Sequence, residues 1–507
     1  MRRLRKAAAT VCAVVSLQAC TSLGPDYQEP DVAWLQEWET DLYGQAMTRL
    51  PDEAEDLSFW WQAFNDPTLN QLIETSRKEN QTLRIAGLAI LESKALLGVA
   101  TGSRYPQVQR ATGSWARVDN WPTEGGNSGD RSGFNSYNAG FDIGWELDFW
   151  GRWRRGIESA DAAFFASVAN QQNAQVLLAA QVAQAYYAYL TTARQIEIAR
   201  ENAALQERSL EITTALYESG QSAELDVQQA STQYLATLAS IPELEISLRQ
   251  VENALCVLLA RSPGDLPELA GAATELPALN PVFINAFPAT LLMRRPDIRS
   301  AAWTVAAQSA QIGVARADLY PSISLFGSIG WSGNSLDATT DTLSTGIGPS
   351  FSWNLFNYGR IENNVRIQDA RLQQAIEAYQ LTVLAAASEI DNAAISIVKT
   401  KDQQDILAGA LQAAERSLTL STKRYQEGYS DFQRVLSAQQ ARAARSASYV
   451  ANQGAHINSV IAFYRALGGG WQPASADDLV PESIRAVMEE RTDWGGMLDE
   501  PIEVPVQ

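Results

Sequence analysis

The chain has 507 residues, with 39 Lys and Arg against 58 Asp and Glu, a formal charge of −19 and a pI near 4.6. Hydrophobic residues make up 46%, charged residues 19%, and mean hydropathy is −0.18; these exclude a wholly disordered chain and a multi-span helical membrane protein, and the acidic balance excludes a broad nucleic-acid-binding surface. One histidine, His456, and three cysteines leave little material for a zinc or redox centre.

Residues 1–19 read as an export signal. Arg2, Arg3, Arg5 and Lys6 precede the apolar run Ala7 to Leu17. That run is about eleven residues, too short for a spanning helix but suited to the core of a signal peptide. It ends in Leu17-Gln18-Ala19-Cys20, similar to a bacterial lipobox, whose cysteine is acylated and becomes the first mature residue. The plain alternative is an ordinary signal peptide with an accidental cysteine. A thioether at Cys20 leaves Cys256 alone in the mature chain, so no intrachain disulfide is expected. Cys256, between Leu255 and Val257, reads as a small buried hydrophobe. Thr21 stands where lipoproteins retained at the inner membrane typically carry aspartate, and by that resemblance the destination implied is the outer membrane.

The body is one unit written twice, with residues 58–261 and 290–467 as its copies after an extended segment over 20–57. Trp145-Glu-Leu-Asp-Phe-Trp-Gly151-Arg152 aligns with Trp353-Asn-Leu-Phe-Asn-Tyr-Gly359-Arg360 at an offset of about 208 residues. Tyr217 and Gly220 meet Tyr425 and Gly428 at the same offset. Gly98 to Pro106 meets Gly313 to Pro321 at a slightly longer one. The region 262–289 between the copies carries Pro263, Pro267, Pro277, Pro281 and Pro288 and reads as a linker. Residues 468–507 form an acidic tail without sustained period, read as extended or partly disordered.

Each copy contains a very long helix. Ile376, Tyr379, Val383, Ala386, Ile390, Ala393 and Ile397 open a 3,4-spaced stripe that runs on to Tyr425. Val168, Leu178, Val182, Ala185 and Tyr189 open its counterpart, running to Tyr217, with Gln171, Gln175, Thr192, Gln206 and Thr213 falling on the stripe. Helices of about 65 residues would reach roughly 100 Å, longer than any globular core, and a sustained stripe demands coiled-coil packing. A spectrin-like rod would satisfy that pattern equally.

The strands exclude the rod. Tyr137, Ala139, Phe141, Ile143, Trp145, Leu147 and Phe149 alternate with small or polar residues, as do Leu343 to Leu355, and Ile323 to Trp331 alternate with Ser324, Phe326, Ser328 and Gly330. Large apolar residues opposite Ser, Gly and Asn make the transmembrane β pattern, with lipid on one side and water on the other. A strand over Val108 to Val118 is patterned poorly. The loops Asn120 to Asn135 and Ser332 to Asp341 are rich in turn residues. Two hairpins supply four strands, whereas the smallest bacterial barrels need eight, and open edges in lipid cost several kcal/mol per group. Several chains must therefore share one barrel: two give eight strands, three give twelve, wide enough for an aqueous lumen.

Trp60-Trp61-Gln-Ala-Phe64-Asn-Asp66-Pro67, Arg294-Arg295-Pro296-Asp297-Ile-Arg299 and Ile312-Gly313-Val-Ala-Arg316 resemble the outer-membrane factor (TolC/OprM-like) family and, within it, the NodT-type efflux lipoproteins. The similarity runs from about Asp26 to Gly470. It implies a mainly α protomer with a transmembrane β part, and a homotrimer forming a twelve-stranded β-barrel continued by an α-helical periplasmic tunnel. It further implies a palmitoylated lipoprotein anchored in outer-membrane lipid, a periplasmic adaptor (membrane fusion) protein as partner, and an inner-membrane RND-type pump supplying the energy. The function implied is a passive exit duct for drugs or other small molecules, with no cofactor. An outer-membrane channel of type I protein secretion uses the same fold, and a structural periplasmic coiled-coil lipoprotein is the third reading.

The resemblance also assigns roles. The turns at Tyr217, Gly220, Tyr425 and Gly428 match the tips that dock the adaptor, although Gly220 and Gly428 would also be expected simply to permit a turn. Asp226 matches a position that relatives use to hold the periplasmic mouth closed. The corresponding residue in the second copy, often acidic in relatives, is Arg434, so Asp226 with Arg434, or Asp431 with a nearby base, is expected to pair across helices at the gate. Solvated helix-end charges are the plain alternative. Asp142, Glu146 and Asp148 are expected on one strand face; three carboxylates there could suggest acid catalysis, but on a lumen they would tune permeation. Tyr105, Trp150, Trp153, Tyr320 and Tyr358 gather at the strand–helix junctions, where an interfacial aromatic girdle belongs. His456 has no ligand set beside it and reads as structural, and no catalytic or metal site emerges.

Overall fold

The computed structural model describes residues 22–36, 43, 57–120, 132–270, 275–277, 292–335, 341–473 and 479–500. The signal peptide, Cys20, most of the inter-copy linker, the last residues of the tail and parts of both hairpin loops lie outside the described residues. Contacts divide the chain into two compact units, residues 1–31, 89–168 and 300–380, and residues 32–88, 169–299 and 381–507.

In chain order the regular elements are α1 (Pro67–Glu79), α2 (Gln81–Gly102), β1 (Val108–Asn120), β2 (Ser132–Glu146), α3 (Arg152–Glu218), α4 (Glu224–Leu258), α5 (Pro296–Ala317), β3 (Ser322–Gly333), β4 (Thr342–Ser352), α6 (Arg360–Gln426), α7 (Phe432–Ala466) and α8 (Glu482–Arg491). The long helices α3 and α6 have 67 residues each, and their followers α4 and α7 have 35 each. Equal lengths in both copies are what duplication requires, and the duplicated helix–hairpin protomer read from the sequence is the observed fold. The stripe residues Val182, Val383 and Ile390 are fully buried, as the 3,4 spacing demands.

In the first unit, the two hairpins join into one antiparallel sheet of order β1-β2-β3-β4. The registers are Trp115 opposite Tyr137, Phe141 opposite Ile329, and Gly327 opposite Ile347. β2 ends at Glu146 and β4 at Ser352, so Leu147, Phe149 and Leu355 extend the alternation beyond the ladder. The sheet is continuous across the duplication because β2 of the first copy pairs with β3 of the second. Residues 22–26 lie along that junction. Leu23 N–H donates to Trp150 O at 3.1 Å, Arg155 Nε donates to Leu23 O at 3.0 Å, and Arg155 pairs with Asp26 at 2.6 Å.

In the second unit, the first sequence motif builds core. Asp66 caps α1 by accepting from Thr68 N at 2.9 Å and Leu69 N at 3.2 Å, with Pro67 at the first helical position. Trp60 stacks on Tyr464 with centroids 5.2 Å apart, and Phe64 meets Tyr187 at 5.4 Å. The second motif clamps α7. The buried Arg295 donates to Ala466 O at 2.6 Å, a carbonyl at the helix end, and pairs with Asp297 at 2.7 Å and Glu389 at 3.0 Å.

The tail departs from its sequence reading. Instead of staying extended, it forms α8, with Leu479, Val480, Met488 and Leu498 buried and Arg485 held by Glu482 at 2.8 Å and Asp499 at 3.3 Å. A ten-residue helix is under three turns, too short for a period to stand out among acidic residues.

Candidate functional site

The sheet has two chemically opposite faces. One presents Tyr137, Phe141, Ile143 and Trp145 on β2, Leu325 and Ile329 on β3, and Leu343, Ile347 and Phe351 on β4. Apart from the half-buried Tyr137 these side chains are exposed, Ile347 to 92%, so the apolar face is left uncovered among the described residues. The opposite face carries Thr112, Ser114, Asn138, Ser328, Ser344 and Ser350, with glycines between them. Both outer edges, β1 and β4, lack a partner strand among the described residues.

The three barrel acids separate. Asp142 and Glu146 stand on the polar face of β2; Asp142 sits opposite Arg110 of β1, 3.7 Å from its guanidinium, and Glu146 lies 3.9 Å from Arg152. Asp148 does not share that face. It lies past the end of β2 and accepts from Trp153 N and Arg154 N, each at 3.0 Å, with the Arg154 side chain at 3.3 Å. Its position before the first turn of α3 makes it a helix cap, because those amides have no partner within the helix. Arg152 also reaches Asp318 at 3.3 Å, a contact the sequence reading did not anticipate.

Phe326, an intervening residue in the β3 pattern, has no role assigned from the sequence. It is the one large apolar residue on the polar face of β3, 46% exposed, and its ring lies over Gly348 of β4, where an added Cβ would stand 3.3 Å from it. The signal was present: Phe326 interrupts the small-polar run Ser324, Ser328, Gly330.

At the strand–helix junctions the duplication is visible as repeated bonds. Trp145 Nε1 donates to Arg104 O at 3.1 Å and its counterpart Trp353 Nε1 to Leu319 O at 3.0 Å. Trp150 stacks on Tyr320 at 4.7 Å and donates to Pro321 O at 2.8 Å. Tyr105 and Tyr358 are exposed there, and Arg152 lies over the Trp153 ring at 5.3 Å.

The two helical tips share one backbone design. Gly220 at φ +76° and Gly428 at φ +75° reverse the chain where a side chain would be strained. Gln221 N donates to Leu216 O and Tyr429 N to Arg424 O, both at 2.8 Å, closing the same turn over carbonyls the helices leave open. The tyrosines differ. Tyr425 is buried against Phe432, Val435, Leu436 and Ala230, whereas Tyr217 is 44% exposed. Burial raises the Tyr425 phenol above its ordinary value; the hydrogen bond with Ser222 opposes this and the charge of Asp226 adds to it.

Asp226 and Arg434 do not meet within one chain. Asp226 accepts from Ser222 Oγ at 2.6 Å, one turn back on its own tip. Asp431 caps α7 by accepting from Arg434 N at 3.3 Å, and its carboxylate lies 3.8 Å from the Arg434 side chain. The expected Asp226–Arg434 pair is therefore not formed here; each acid is taken by its own helix start. Both members of the Asp431–Arg434 pair are largely exposed, so that pair contributes about 0–1 kcal/mol.

Residues 72–261 and 287–469 match the family described as outer membrane efflux protein, one block in each copy. Among relatives, the probable efflux pump outer membrane protein SepC of Pseudomonas putida is 29% identical over 479 residues, covering 92% of this chain and 98% of its own. The probable outer membrane lipoprotein SilC of Salmonella typhimurium is 28% identical over 472 residues, covering 91% and 98%. Among solved structures, the outer-membrane channel OprN superposes with a TM-score of 0.78 at 31% identity, over 89% of this chain and all of that one.

Proposed function

The chain belongs to the outer membrane efflux protein family and is an outer-membrane component of an efflux system, and on that premise we propose how it works. Three copies close one barrel, and the assembly docks through a periplasmic adaptor onto an inner-membrane RND-type pump. The pump supplies the energy; this chain supplies a wall. Drugs or other small molecules pass along the polar face of the sheet, past Asp142, Glu146, Arg110 and Phe326. Cys20 carries the acyl anchor, and Tyr217 with Gly220 and Gly428 presents the tips to the adaptor, Tyr425 holding the second tip in shape from beneath.

One observation carries this reading: a four-stranded sheet that, among the described residues, has an uncovered apolar face and two open edges. Unpaired edge groups in hydrocarbon cost several kcal/mol each, and further copies of the same sheet are the economical way to satisfy them. Four strands per chain give twelve for three chains. The test is native mass and planar-bilayer conductance of the purified full-length lipoprotein. Trimers that conduct are expected; a non-conducting monomer would sink the reading. For the gate, Asp226→Ala and Arg434→Ala are expected to raise closed-state leakage through contacts between chains, and leakage unchanged in both removes these residues from it.

A further inference from the structure

The register of the sheet puts four residues side by side on one rung of its polar face. Val108 of β1 pairs with Gly144 of β2, Gly144 with Phe326 of β3, and Phe326 with Gly348 of β4. No polar side chain stands on this rung. The rungs two residues to either side are polar, with Arg110, Asp142, Ser328 and Gly346 on one and Glu146, Ser324 and Ser350 on the other. An apolar band thus crosses all four strands on the face that alternation assigns to water.

The two glycines shape the band. A Cβ on Gly144 would stand 3.3 Å from Val108 Cβ, and one on Gly348 would stand 3.3 Å from both Cε1 and Cζ of Phe326. The Phe326 ring therefore lies down over β4, in the place a side chain at 348 would take. The residue is still 46% exposed, and Val108, at the far end of the band, is 45% exposed. Covering a glycine with a ring also steadies a sheet. That role accounts for the ring on Gly348, but not for an apolar side chain left open at Val108, nor for where the charges lie.

By register, the charged positions nearest the ring are both acidic. Asp142 and Glu146 flank Gly144 on the neighbouring strand, each diagonal to Phe326, a backbone spacing of about 7–8 Å. On the other side β4 offers only Gly346, Gly348 and Ser350. Arg110 lies one strand further off, 3.7 Å from Asp142, and Arg152, beyond the end of β2, is 3.9 Å from Glu146. Both contacts are long and join partly exposed groups, so they hold the carboxylates weakly.

We propose that this band is a resting place for organic cations on the conducting wall: the ammonium group of the cargo sits over the Phe326 ring, between Asp142 and Glu146, and its hydrocarbon part lies along the glycines and Val108. The proposal rests on the exit-duct reading above and adds the chemical class of cargo that the wall favours. A ring face attracts a cation through its quadrupole, and two carboxylates within reach add charge of the right sign. An anion of the same size meets the same band with both carboxylates against it. Weak holding suits a wall that must also let its cargo go.

The test is conductance of the purified full-length lipoprotein in planar bilayers, with benzyltrimethylammonium as the probe cation and benzenesulfonate as an anion carrying the same ring. Block is read against each variant's own conductance without probe. Benzyltrimethylammonium is expected to halve the current of the native chain at a concentration about two- to fivefold lower than it needs for Phe326→Leu, which keeps the apolar bulk and loses the ring. Phe326→Trp is expected to retain the block. Asp142→Asn combined with Glu146→Gln is expected to weaken block by the cation and strengthen block by benzenesulfonate. Equal block of the native chain and Phe326→Leu, in channels whose unblocked conductance shows them assembled, overturns the proposal. Benzenesulfonate blocking the native chain as well as the cation does also overturns it. A native chain that conducts nothing removes the exit duct itself, an outcome separate from a wall that conducts without preference.

Discussion

Replacing Asp148 by alanine removes the acceptor for two amides at the start of a 67-residue helix. The expected loss is about 1–2 kcal/mol, measured as a lowered midpoint of thermal unfolding, with single-channel conductance unchanged because the carboxylate caps a helix and lines no lumen. Asp142→Asn is expected to do the reverse, altering ion selectivity with little change in stability. Tyr27 gives a prediction in pH. Burial, with the charge of Glu29 adding to it, pushes its phenol up to about 12, against an ordinary 10.0. A raised folded value stabilises the fold fully below the unfolded value and less as pH climbs past it. Residues 22–36 are therefore expected to open to hydrogen exchange between about pH 10 and 12, and Tyr27→Phe to flatten that dependence.

At the scale of elements, β4 separates lipid from water by alternate residues. Ile347→Lys puts a charge on the apolar face and is expected to cost about 2–4 kcal/mol and deplete assembled protein in the membrane. Ser350→Lys, on the other face, is expected to assemble normally and favour anions in reversal-potential measurements. The long helices and three of the strands were legible in the sequence because each follows a period, 3,4 in one case and 2 in the other. β1 could be placed, over Val108 to Val118, but its faces could not be read, because its apolar-face residues are Gln109, Ala111, Gly113, Trp115 and Arg117, among which only Trp115 is large and apolar. The period cannot report what hydrogen bonds decide. The end of β2, two residues before Asp148, is set by a cap. The tip tyrosines, equal in sequence, differ by what each packs on; Asp226 takes the Ser222 hydroxyl, and Asp431 the amide and side chain of Arg434. The three motifs that carried the family resemblance proved to be structural parts: Trp60 and Phe64 in a core, Arg295 on a helix end, Gly313 against Leu23 and Arg155.

At the scale of the whole molecule, the proposed conducting path runs along the polar face of the sheet. Phe326→Ala, on the polar face, is expected to raise single-channel conductance, and Phe141→Ala, on the apolar face, to leave it unchanged. Equal conductance in both would show that the ring over Gly348 lies clear of the conducting path.

The short stretch at Ser22 and Leu23 sets a distance as well as a contact. Ser22 lies against Gly151, where an added Cβ would stand 2.8 Å from its Cα, and Leu23 is bonded to Trp150. Only one residue separates Ser22 from Cys20, a leash of about 7 Å at full stretch. Fatty chains on that cysteine would have to enter the bilayer beside Trp150, so the anchor would act as a depth gauge, fixing how far the sheet rises into the membrane, as much as a mooring.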